Sequence, residues 1–208
     1  MSARRLRMTI YDLRPKAACR VQEGARAFVY AAHGPARVAG APLAPGDGAF
    51  ASPGAEIAAA DGAWIYEIAP GAAAPRVEAG LDPVLSRVAE LGDGRHILRA
   101  DRVESPAGAQ TPAHHHRGPG LRRLSRGLVR AQVGDHLDRI EAGGAWFETD
   151  RESVVGTNIS DGVNAFVRVM ALPAELTGGK SSFVPTTPVD AARPRGSAIT
   201  LFGEIDLE

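Results

Sequence analysis

Apolar and polar residues alternate along most of this chain in short runs, each stopped by Gly, Pro or Asp. The runs 25–32 (ARAFVYAA), 36–40 (ARVAG), 48–52 (GAFAS) and 64–69 (WIYEIA) read as short strands. The same texture returns at 96–105 (HILRADRVES), 120–125 (GLRRLS), 127–135 (GLVRAQVGD), 136–142 (HLDRIEA) and 164–173 (NAFVRVMALP). Between two of these runs, VGDH at 133–136 predicts a tight hairpin, because Gly and Asp tolerate the backbone angles such a turn needs. Many short strands separated by turn residues predict an all-β sandwich or barrel. One segment breaks the pattern. DPVLSRVAEL at 82–91 predicts a short helix, with Asp82 as N-cap, Pro83 in the first turn and Gly92 as the stop. The stretch 70–80 before it reads as a linker.

The two sides of that linker resemble each other. Aligning 120–147 with the segment that starts near Arg26 sets Gly34 against Gly127, Gly46 against Gly143 and Phe50 against Phe147. The copies lie close to half a chain apart, and an internal duplication of a β-unit is the economical account. The domain reading is therefore 1–75 for a first barrel, 76–92 for a linker with a short helix, and 93–208 for a second barrel. A last strand over 197–205 is expected to return and pair with the first barrel.

The candidate chemistry sits in TPAHHHRGPGLRRLSRG, 111–127. Gly108, His114, His116 and Gly127 stand at the spacing G-x5-H-x-H-x3-[E]-x6-G, with Gly120 where a glutamate belongs. This run resembles the first motif of the cupin superfamily. The second cupin motif, started at Gly143, keeps only that glycine and Asn158, with Thr149, Arg151 and Val154 at its Pro, Gly and His positions. In the first half, Val21, Glu23 and Ala27 occupy the positions of the two histidines and the glutamate, and Ile57 that of the second-motif histidine. The chain is thus similar to a bicupin, which implies two tandem jelly-roll β-barrels with few short helices and with metal motifs worn away. Within that superfamily it looks like a subgroup of bacterial cupin-2 proteins without an assigned reaction.

On a strand His114 and His116 point to one face and His115 to the other, so the first two are the candidate metal and ligand residues. The resemblance implies a divalent Fe, Mn, Ni or Zn, but Gly120 and Val154 cannot ligate, and two imidazoles rarely hold such an ion against water. Glu148, Glu152 or His96 could complete the set from elsewhere in the fold. Counting by twos from Gly120 puts Arg122 on the inward face and Arg123 on the outer one. A buried Arg122 needs an anion, either a carboxylate or phosphate of a small ligand or an internal carboxylate such as Glu148. Trp64, Trp146, Phe147 and Phe166 are read as barrel core, and His33 and His136 as solvated turn residues.

Composition changes this picture by exclusion. Lys+Arg and Asp+Glu both number 24, so bulk charge directs the chain to neither nucleic acid nor an anionic membrane. Only Lys16 and Lys180 among the basic residues are lysine, so no single arginine is informative by type alone. The lone Cys19 forms no internal disulfide, no apolar run is long enough to span a bilayer, and the basic start is not followed by an apolar stretch of a signal peptide. A cytoplasmic homodimer that binds a small, anionic molecule around His114, His116 and Arg122 is the expectation, with no cofactor certain. The alternative is a metal-dependent enzyme of dioxygenase or isomerase type with non-standard ligands, and a third is a sensor or scaffold barrel.

Overall fold

The computed structural model describes residues 4–72 and 74–207. The chain divides into two compact units, one running to Asp93 and joined by Leu207, the other Gly94–Asp206. The first contains β1 (Arg4–Leu13), β2 (Ala18–Arg20), β3 (Arg26–Tyr30), β4 (Ala36–Val38), β5 (Ala41–Leu43), β6 (Gly48–Ala51), β7 (Glu56–Ala59), β8 (Ala63–Pro70) and β9 (Leu81–Leu91). They form one sheet in the order β6-β3-β8-β1-β9 and another in the order β2-β7-β4-β5. Tyr11, Val29 and Ile65 from the first sheet meet Cys19, Val38 and Ile57 from the second in one buried core, so the interior is filled by side chains.

The second unit contains β10 (His96–Ser105), β11 (His114–His116), β12 (Gly120–Arg126), β13 (Leu128–Val133), β14 (His136–Glu141), β15 (Ala145–Glu148), β16 (Val154–Asn158), β17 (Asn164–Pro173), β18 (Phe183–Pro185) and β19 (Ala198–Leu207). A five-residue helix, α1 (Pro188–Ala192), is capped by the Thr187 side chain. The sheets run β15-β12-β17-β10-β19 and β14-β13-β16-β11-β18. Among β1–β8, adding nine to each label reproduces the strand order of the second unit, which is the signature of a duplicated unit. The 133–136 hairpin forms as expected: Val133 pairs with His136, and Gly134 takes a φ of +57° in the turn.

Two expectations are corrected. The segment 82–91 is strand, not helix: β9 pairs antiparallel with β1 from Leu13↔Leu81 to Arg4↔Leu91. Leu81, Leu85, Val88 and Leu91 fit a helical period as well as any, but pairing with β1 decides the matter. Pro83 is tolerated because β9 is an edge strand and the ladder slips by one residue just there, between Ile10 and Tyr11. The stretch assigned to a linker therefore belongs to the first unit. The tail strand does not pair with the first barrel's sheets either, and only its last residue, Leu207, counts with the first unit. β19 joins the second unit's own sheet beside β10, where an open ladder was available. No helix among the described residues is long and apolar enough to cross a membrane.

Candidate functional site

β11 lies between β16 and β18, and its burial alternates as the sequence pattern requires. His114 and His116 are 5% and 4% exposed, whereas His115 is half-buried, opposite Val184, and does not line the cavity. His114 Nδ1 lies 2.9 Å from the carbonyl oxygen of Pro112. A carbonyl only accepts, so Nδ1 carries the proton and Nε2 offers a lone pair. Burial lowers the pKa of His114, and burial followed by the positive charges of Arg122 and Arg168 lowers that of His116 well below the usual histidine range. Both rings are neutral at pH 7.

Arg122 enters the same interior from β12, as the alternation places it, and is 1% exposed. Its Nη1 donates to the carbonyl oxygen of Gly120 at 2.6 Å, and its Nη2 lies 2.6 Å from Glu148 Oε2. Burial pulls its pKa down to about 10 against the opposing pull of Glu148, so the guanidinium stays charged at neutral pH. Glu148 Oε1 accepts from Trp146 Nε1 at 2.8 Å, while Oε2 also lies 3.5 Å from His116 Nε2. Of the two partners open to Arg122 in the sequence, the internal carboxylate holds it. Arg123 is not exposed as expected; it is covered on the other face and donates to Gly143 O.

Behind this pair stand two more. Arg168 makes a two-point ion pair with Asp101, at 2.6 and 3.1 Å, and Arg99 reaches Glu204 at 2.6 Å and the carbonyls of Lys180 and Leu176. Arg99, Asp101 and Arg168 line a cavity of about 310 Å³ together with Arg122 and Glu148, and Val129, Ala131, Trp146, Val154 and Phe166 add apolar wall. A volume of that size suits a small organic molecule. Phe183 stacks on His114, with ring centroids 4.0 Å apart and planes 15° apart, and the Arg195 guanidinium lies over the Phe183 ring, 4.3 Å from its centroid. Asp101, Arg168, Arg99, Phe183 and Arg195 were not found from the sequence. The available signal was the charged alternation of Arg99 and Asp101 inside an otherwise apolar strand, HILRADRVES.

The donor set does not fit a resident divalent metal. Among the described residues no group of three or more His, Cys, Asp or Glu side chains is placed to hold one. Glu148, the nearest carboxylate to the two histidines, is already in contact with a guanidinium. Glu152 instead bonds Thr149, and His96 Nδ1 faces the carbonyl of Gly94; neither lines the cavity. Val154 pairs with His114 on the neighbouring strand and presents only methyl groups. A Cβ at Gly120 would lie 2.8 Å from Arg122 Nη1, so the guanidinium fills the space that a side chain at the motif's glutamate position would need.

No protein-family profile matches the chain, and no curated protein matches it in sequence. Solved structures match along most of its length. Oxalate decarboxylase from Lactobacillus farciminis, in its formate complex, aligns over 93% of this chain and 82% of its own, with a TM-score of 0.62 at 14% identity. AerE from Microcystis aeruginosa aligns over 79% and 88%, with a TM-score of 0.56 at 12% identity. The putative glyoxylate-induced protein from Pseudomonas aeruginosa aligns over 80% and 74%, with a TM-score of 0.55 at 14% identity. The chain has the cupin fold. Oxalate decarboxylase from Bacillus subtilis, another neighbour at 13% identity, has Mn(II) centres, and at such distances the likeness extends to the fold alone. Within this cupin fold the two barrel interiors differ: at Val21, Ala27 and Ile57 the first packs buried apolar side chains, whereas the second opens a cavity lined by His114 and Val154 among others.

Proposed function

We propose that the second barrel binds a small anionic molecule in the cavity around His114, His116 and Arg122, and that the first barrel is structural. One observation carries this reading. The second cavity is walled by buried ion pairs at ladder positions where the first barrel packs apolar groups. Ala27↔Ala51 corresponds to Gly120↔Glu148, and Tyr11↔Ile65 to Asp101↔Arg168, with Val29 in the place of Arg122. Buried charge is commonly less stabilising than well-packed apolar groups, so such a substitution of the interior points to a role other than stability. The sign of the ligand follows from the wall: Arg99, Arg122, Arg168 and Arg195 line the cavity, against Asp101, Glu148 and the Glu204 bound to Arg99. One positive charge is left over.

The test is a thermal-shift screen of small carboxylates, followed by titration of each hit against the Arg122→Met/Glu148→Gln variant, which removes both charges of the central pair. Loss of binding is expected, and unchanged binding would refute the site. Elemental analysis of protein purified without a histidine tag separates the metal-dependent alternative. Stoichiometric iron, manganese, nickel or zinc that disappears in a His114→Ala/His116→Ala variant would establish that alternative instead. We propose a homodimer formed through an open sheet edge, a reading supported by the exposed Val84 and Val88 on the edge strand β9. Sedimentation of a monomer at micromolar concentration would refute it.

A further inference from the structure

The hydrogen-bonding groups left unspent inside the cavity say how an acid would lie there. Arg122 Nη2 and Glu148 Oε2 are close as charges, yet the N–H does not point along the contact, and neither atom has an aligned hydrogen bond. Asn164, 2% exposed, gives its Nδ2 to Leu128 O and leaves Oδ1 without a donor. His114 Nε2 is a third acceptor, since its Nδ1 is engaged with Pro112 O. Of these four atoms three accept, and only Arg122 Nη2 donates. A carboxylate placed there would face Glu148 at short range in a site of low dielectric, where like charges repel strongly. A hydroxyl or primary amide, which donates and accepts at once, satisfies Glu148 Oε2 and Arg122 Nη2 together.

The surplus positive charge lies elsewhere. Arg99, Arg122 and Arg168 each touch a carboxylate at 2.6 Å. Arg195 touches none among the described residues; its contacts are the Phe183 ring and Ser181 Oγ, the latter at 3.0 Å. It lines the cavity and is exposed, so it stands where the cavity opens.

Building on the anion-binding reading above, we infer that the ligand is a monoanionic hydroxy- or amido-acid. Its charged group rests on Arg195 at the mouth, and its neutral polar end reaches the Arg122–Glu148 pair between apolar walls. The orientation is the reverse of the usual expectation that the buried arginine takes the carboxylate.

Calorimetric titration with two matched series tests this on the intact chain: 4-hydroxybenzoate, benzoate and 4-hydroxybenzyl alcohol, and 6-hydroxyhexanoate, hexanoate and 1,6-hexanediol. In at least one series the hydroxy acid should bind about tenfold more tightly than the parent acid, the effect of one hydrogen bond to a charged group. It should exceed the uncharged alcohol by about fivefold, the scale of an exposed ion pair. Arg195→Gln, at an exposed position that leaves folding intact, should remove the preference for the acid and keep the preference for the hydroxyl. Parent acids that bind as well as hydroxy acids, with Arg195→Gln without effect, would overturn this orientation while leaving anion binding in the cavity intact. Failure of every acid in both series to bind would overturn both.

Discussion

Replacing Glu148 by glutamine tests the electrostatics of the interior most directly. The side chain keeps its size and can still accept from Trp146 Nε1, but Arg122 loses its counter-charge. At a separation of 2.6 Å and an effective dielectric constant of about 20, the lost attraction is about 6 kcal/mol before relaxation. The environment is already unfavourable to the cation: a pKa pulled from 12.5 to about 10 corresponds to about 3 kcal/mol with Glu148 still present. Removing one partner of such a pair costs about 3–5 kcal/mol in practice, whereas removing both is close to neutral. Glu148→Gln should therefore destabilise the second unit by that amount, and Arg122→Met/Glu148→Gln should recover most of it.

The assay is equilibrium unfolding in urea. Each unit carries one tryptophan, Trp64 in the first and Trp146 in the second, so a Trp64→Phe background makes fluorescence report the second unit. That separation is needed because a two-unit chain need not unfold in one step. A loss under about 1 kcal/mol for Glu148→Gln would refute the buried ion pair. So would a double variant no more stable than the single one.

Three further outcomes are expected. His114 and His116 have lowered folded-state pKa values, so the unfolded chain binds more protons once the pH falls below the ordinary histidine value. Stability should be flat above about pH 6.5 and should fall below it by at most about 1.4 kcal/mol per pH unit per histidine, a dependence that vanishes in His114→Gln/His116→Gln. Asn158, the survivor of the second motif, shares the two N–H groups of Nδ2 among Ser105 O, Pro106 O and Gly162 O at 2.9, 2.9 and 2.8 Å, so Asn158→Ala should cost at least about 2 kcal/mol in unfolding experiments. Salt should weaken ligand binding only modestly, since a single exposed cation is engaged; a steep salt dependence in the same titrations would count against Arg195 as the one rim contact.

The parts of this protein that were legible in the sequence are those written in local alternation. The twofold period fixes which face of β11 and β12 each residue takes, so His114, His116 and Arg122 converge as the spacing requires. Turn chemistry places the β13–β14 hairpin, and the repeated glycines expose the duplication. What escaped is settled by long-range pairing. Nothing within 82–91 says that β1 will lie beside it, and nothing in the tail distinguishes an edge at β10 from an edge in the first barrel. Asp101 and Arg168 are 67 residues apart, and their partnership exists only once β10 and β17 are in register. Arg122 had two acceptable partners on paper, and only the position of Glu148 on the adjoining strand chose between them.

Gly120 and Arg122 form a single structural change. In the motif this run resembles, a glutamate occupies the position of Gly120; here a Cβ at that residue would meet Met170 Cγ at 2.7 Å, Arg122 Nη1 at 2.8 Å and Val169 O at 3.0 Å. The missing side chain is what admits the guanidinium, and the guanidinium in turn occupies the carboxylate that lies nearest the histidines. Reinstating the acid alone therefore does not rebuild a metal centre. Gly120→Glu should destabilise the barrel by overpacking, by about 1–3 kcal/mol, and should take up no manganese or zinc in equilibrium dialysis. Gly120→Glu/Arg122→Ala removes the Arg122 contact, leaving those with Met170 Cγ and Val169 O for the neighbours to absorb, and it frees Glu148 from its guanidinium beside two imidazoles and a second carboxylate, so it should acquire one ion per chain. Stoichiometric uptake by Gly120→Glu with Arg122 still present would show that the arginine is displaced easily, and that the cation fixed in this barrel is not the reason its metal motif is incomplete.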